Sequence, residues 1–130
     1  MAITKHLLKN INLSEINFAS TGTQITMNFI DMFKGNFYGR LAIDSVLFFN
    51  YQNAFDDYKH AFPTYIGEVI CKEFSYEEYT PWLTKVGYGF TNADGNISIP
   101  HMEKLFFIQL ESGEVSIDII CGDYKLNFVD

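Results

Sequence analysis

Hydrophobic and polar side chains alternate along most of this chain, and that alternation constrains its fold more than any other feature. Ile25, Met27 and Phe29 alternate with Thr26 and Asn28. From Phe37 to Tyr51, residues Leu41, Ile43, Leu47, Phe49 and Tyr51 share one face, and Ala42, Asp44, Val46, Phe48 and Asn50 share the other. A repeat of two is the geometry of a β-strand, whose successive side chains point to opposite faces. The long Phe37–Tyr51 stretch is apolar on parts of both faces, so it is expected near the centre of a sheet, bending at Gly39. Ile11 and Leu13 are in phase with each other but out of phase with Ile16 and Phe18. That break at Ser14-Glu15 predicts a bulge or two short strands.

Further strands are expected over Tyr65–Phe74, Tyr88–Thr91, Ile97–Glu111, Val115–Cys121 and Lys125–Val129, with a loop over residues 52–63. Thr21-Gly22, Lys34-Gly35-Asn36, Asp94-Gly95, Ser112-Gly113 and Gly122-Asp123 read as turns. One segment follows the helical period instead: Tyr76, Tyr79, Trp82, Leu83 and Val86 recur at steps of three and four. Ser75 with Glu78 fits the capping box, and Gly87 suits a helix C-terminus. Pro81 implies that this helix either kinks or begins at Thr80. A single helical turn capped by Thr4 is expected within residues 3–9.

The 130 residues, 15.0 kDa, suffice for one self-supporting domain over 1–130. The expected fold is α+β. It is a mainly antiparallel, meander-rich sheet of about seven strands, twisted or curled into a half-barrel, with one main helix around 76–86 packed on its concave side.

Charge excludes several functions. Lys and Arg number 9 against 16 Asp and Glu, a net charge of −7, and Arg40 is the single arginine. Scattered cations argue against nucleic-acid binding and against docking on an anionic membrane. The acidic balance fits a basic protein partner, or no macromolecular partner. Pairing of edge strands into a homodimer is compatible with the pattern. Apolar runs such as Val46–Phe49 are too short to cross a bilayer, and the N-terminus has no leader-like apolar stretch. A cytoplasmic location is therefore expected. Cys71 and Cys121 lie in apolar runs and read as buried, reduced, quiet thiols.

No motif specifies a metal or cofactor, and none is expected. Asn92–Asn96 begins like a calcium loop, but Phe90 and His101 would occupy positions that need carboxylates. Gly87-Tyr88-Gly89-Phe90 follows a helix where a dinucleotide loop would open one. His6, His60 and His101 lack ligand spacing. The adjacent pairs Asp56-Asp57 and Glu77-Glu78 diverge too much for acid–base work. The candidate binding residues are Asp44 and Asp118, carboxylates inside apolar strands, together with Asp56, Asp57, Tyr58 and His60 in the polar loop. In size, acidity and aromatic content the chain is similar to the small immunity proteins of bacterial toxin systems. No residue role is carried over from that likeness.

The leading expectation is a non-enzymatic protein-binding module, of the kind that inhibits a basic toxin domain. The alternative is a small-molecule binder with an aromatic-lined cavity in a curled sheet, its ligand oriented by Asp44, Asp118 or a tyrosine hydroxyl. A dispersed enzyme site around His60 is the third.

Overall fold

A computed structural model describes residues 1–54, 62–85, 93–96 and 98–129. The alternating segments form β1 (Ala2–Leu7), β2 (Ile11–Phe18), β3 (Ile25–Asp31), β4 (Phe37–Asn53), β5 (Thr64–Tyr65), β6 (Glu68–Ser75), β7 (Lys104–Glu111) and β8 (Val115–Phe128), with one helix, α1 (Tyr76–Lys85). All eight strands belong to one antiparallel sheet, in the order β1-β6-β7-β8-β4-β3-β2-β5. The fold is therefore α+β with the sheet dominant, and the described residues hold eight strands where about seven were expected.

The connections show why the sheet must curl. β5 and β6 stand at the eighth and second positions, yet only Ile66 and Gly67 separate them. In a flat sheet six strand spacings would be about 29 Å, whereas three Cα steps reach about 11 Å. The β1–β2 connection, residues 8–10, makes the same demand. Leu8 N–H donates to Gly67 O and Ile66 N–H to Ile11 O, joining the two short crossings. The sheet folds over on itself without closing, and the enclosed face holds the main core. Ile11, Leu13, Ile25, Met27, Phe29, Leu41, Ile43, Val69, Ile108, Leu110, Ile117 and Ile119 are all buried there.

Opposite parity fills a second, smaller core on the outer face. In β7, Ile108 and Leu110 point inward while Leu105 and Phe107 point outward, where they meet Phe74, Tyr79, Trp82, Leu83 and Ile120. Helix α1 covers this outer patch and not the concave side. The concave side has no room for it, because the curled sheet already covers that face. Trp82 stacks on Phe74 at 4.5 Å between ring centres.

Other expectations fare unevenly. Lys34-Gly35-Asn36 does close the β3–β4 hairpin, with Gly35 at φ 73° and its N–H on Asp31 O. The bulge in β2 falls between Leu13 and Glu15, where the phase breaks. β4 is central, and its pairing with β3 slips opposite Gly39. Residues 2–7 are a strand and not a helical turn, because their backbone pairs with β6. Tyr65–Phe74 is two strands broken at Ile66-Gly67, and β7 begins only at Lys104. Helix α1 starts where the capping box places it: Ser75 N–H donates to Glu78 Oε1 at 3.0 Å. Pro81 is inside it, on the exposed side. Gly122-Asp123 is no turn, because β8 runs straight through it beside β4. The expected strand at 88–91 lies outside the described residues.

Candidate functional site

The two longest strands, β4 and β8, pair from Gly39↔Phe128 to Asn53↔Val115. Strands this long must bend to serve a curled sheet, and both irregularities needed for that lie near their middle. Ser45 takes φ 52°, and the register slips between Val46 and Phe48. A positive φ at a non-glycine residue is uncommon, and a bulge bends its strand. Val46 N–H reaches Thr23 O at 2.9 Å, tying the bend to the loop before β3.

This bend places Asp44 directly opposite Asp123 on the outer face. Both are exposed. Each carboxylate is aimed by its own backbone: Asp44 Oδ1 accepts from Ser45 N–H at 2.7 Å, and Asp123 Oδ1 from Tyr124 N–H at 2.9 Å. Gln24 Nε2 lies 3.4 Å from Asp44 Oδ1. Like charges directly opposite on adjacent strands are destabilising, so two aspartates here cost stability rather than add to it.

Two surface depressions flank the pair. One, of about 290 Å³, is lined by Gln24, Thr26, Ala42, Asp44, Asp123 and Lys125 among others. The other, of about 470 Å³, is lined by Ser45, Met102, Glu103, Lys104, Gly122 and Asp123, with Phe106. Asp123 borders both. The surface thus offers carboxylates from three segments, interrupted by Lys104 and Lys125. Among the described residues no group of three His, Cys, Asp or Glu side chains is placed to hold a metal ion.

Asp44 is the sequence candidate that the fold brings into a cluster. Asp118 is half-buried on the outer face, flanked by Gln109 and Asn50 as cross-strand neighbours, with Gln109 Nε2 3.4 Å from its Oδ1. Five residues along β8 separate it from Asp123, about 17 Å, so it does not join the bend. Asp56, Asp57, Tyr58 and His60 lie outside the described residues. The sequence pattern places Asp123 in a turn. Its partner is visible only once β4 and β8 are known to pair along their full length.

The cysteines face the inner core from β6 and β8, with β7 between them, and both are free. Burial pushes the Cys121 thiol up to about 12. Burial also raises Cys71, opposed by the hydrogen bond that Tyr124 makes to it. A thiol so disfavoured as thiolate is a poor nucleophile. No helix among the described residues is long and apolar enough to cross a membrane.

A curled, unclosed antiparallel sheet with one short outer helix defines the structural class. The same fold occurs in the crystal structure of an uncharacterized protein from Neisseria gonorrhoeae, with a TM-score of 0.67, 17% identity and 98% of each chain covered. At that identity the likeness is one of fold. A family model described only as "-like" matches residues 6–128, and the chain belongs to that family. No curated protein matches it.

Proposed function

We propose that this chain is a non-enzymatic binding protein that engages a basic protein domain through the outer surface at the β4/β8 bend. The observation that carries this reading is the Asp44/Asp123 pair. Two like charges are held side by side, exposed and oriented by backbone N–H groups. Their mutual repulsion is relieved when a cation arrives between them, so the arrangement favours a Lys or Arg of a partner. The net charge of −7 adds long-range attraction for the same class of partner. A bacterial, cytoplasmic immunity-type inhibitor of a basic toxin domain is the particular case that fits this chemistry.

The alternative, an aromatic-lined ligand cavity inside the curl, draws less support. The concave face is occupied by side chains such as Leu13, Met27, Phe29, Leu41 and Ile117, each with 0% exposure.

The test is capture from a host lysate with the wild-type chain and with the Asp44→Asn/Asp123→Asn double variant, then calorimetry on the captured domain. The expected result is a basic partner whose affinity falls at least about tenfold in the variant, with weaker binding at high salt. Loss of the pair should leave the fold intact and stabilise it by about 0.2–1 kcal/mol. A captured partner that is acidic, or binding unchanged in the double variant, refutes the reading.

A further inference from the structure

Beside the bend, the outer face carries a trough whose charges are split. Thr26, Ala42 and Lys125 are register partners across β3, β4 and β8, one row along the same face from Asp44 and Asp123. Ala42 is exposed and is the shortest side chain of the row, so it is the floor. Gln24, Thr26, Asp44, Asp123 and Lys125 stand around it, and the space above it is about 290 Å³. Small-ligand sites begin at about 300 Å³.

The two aspartates close one end. Lys125 flanks the other, two residues along β8 from Asp123, about 7 Å. Asp44 Oδ1 accepts from Ser45 N–H and Gln24 Nε2, and Asp123 Oδ1 accepts from Tyr124 N–H. Among the described residues, no donor reaches either Oδ2, and Lys125 makes no ion pair with either aspartate. Opposite charges therefore line one trough without neutralising each other. A lone cation seated on the aspartates lies within the Debye length of Lys125, about 8 Å, and is repelled by it. A carboxylate carried on the same ligand turns that repulsion into attraction.

We propose that this trough binds a dipolar ligand, with a guanidinium or ammonium between Asp44 and Asp123 and a carboxylate on Lys125, Thr26 beside it. The proposal rests on the reading of the Asp44/Asp123 surface as the binding site, and it specifies what that site takes. The side-chain cation and the carboxylate of a single arginine residue meet the requirement. About six bonds join them, spanning about 7 Å when extended. The same chemistry has two sources, a free cationic amino acid and a polypeptide that ends in Arg or Lys.

The test is titration of the full chain with N-acetylarginine, followed by NMR at the amides of Ser45 and Tyr124, whose hydrogen bonds end on the two carboxylates. Saturable shifts are expected. N-acetylarginine amide, which lacks the carboxylate, should bind about two- to fivefold more weakly. Lys125→Gln should erase that difference between acid and amide. Asp44→Asn/Asp123→Asn should remove saturable binding of both. Ala42→Leu fills the trough from an exposed position and should also remove it, with circular dichroism confirming the fold. Tighter binding of free arginine assigns the trough to an amino acid, and tighter binding of N-acetylarginine assigns it to a chain terminus. Equal affinity for acid and amide in the wild type overturns the dipolar inference and leaves the cation reading standing. The absence of saturable shifts, or shifts that survive Ala42→Leu, overturns it too, while capture of a basic domain decides the cation reading independently.

Discussion

At Gly122 a single missing Cβ lets two strands bend together. A Cβ built there would stand 2.9 Å from Ser45 Cβ and 3.1 Å from Met102 Sδ. The thioether can swing aside, but Ser45 Cβ is fixed by its own positive-φ backbone. Gly122→Ala is therefore expected to destabilise by about 1–3 kcal/mol, read from the midpoint of urea unfolding. An unchanged midpoint would show that the bend tolerates the contact. Glu78 is one exposed residue through which acid acts on stability. The N-terminal amine of Met1 donates to its Oε2, and Ser75 N–H donates to its Oε1. The amine is the larger influence, and together they lower the carboxyl from 4.5 to about 2. A carboxyl whose folded value is depressed contributes stability that is complete above its unfolded value and lost as pH falls toward the folded one. Glu78→Gln should thus flatten the stability profile between about pH 5 and pH 2 and leave its slope above pH 6 untouched. Thermal melts across that range decide it. An identical acid limb in the variant would remove Glu78 from the account.

At the scale of elements, helix α1 is held by more than its apolar stripe. Tyr79 is fully buried, and its hydroxyl lies 2.6 Å from Pro100 O while accepting Met102 N–H at 2.8 Å. One side chain therefore pins the segment that leads into β7. Tyr79→Phe leaves that amide and that carbonyl without their partner, at a cost of about 1–3 kcal/mol. Hydrogen exchange at the Met102 amide should quicken in the same variant, and a protected amide would show that another group takes over. The start of this helix was legible because Ser75 and Glu78 encode it locally. The edge strand β1 was not: residues 2–7 have weak alternation, and only pairing with β6 makes them extended. Gly122-Asp123 failed for the opposite reason. Its turn chemistry is genuine, but the ladder to β4 is worth more than a local reversal.

For the whole molecule, the pairings that matter join residues far apart in sequence. Ala2 meets Glu73, and Gly39 meets Phe128. Loop-closure entropy is lost before such contacts form, so the main refolding phase should lie in the millisecond-to-second range. Stopped-flow fluorescence of Trp82 reports it, and a microsecond phase carrying the full amplitude would contradict the argument. The sequence by itself determined the class of structure: alternation, turn residues and one capped helical stretch are local signals, written in neighbours along the chain. It also determined the sign of the overall charge and the quiet thiols. Only the tertiary structure decided which face the helix covers, and that Asp44 meets Asp123 and not Asp118. Register and curl set those neighbours, and both arise from hydrogen bonds between distant strands and from two crossings too short for a flat sheet.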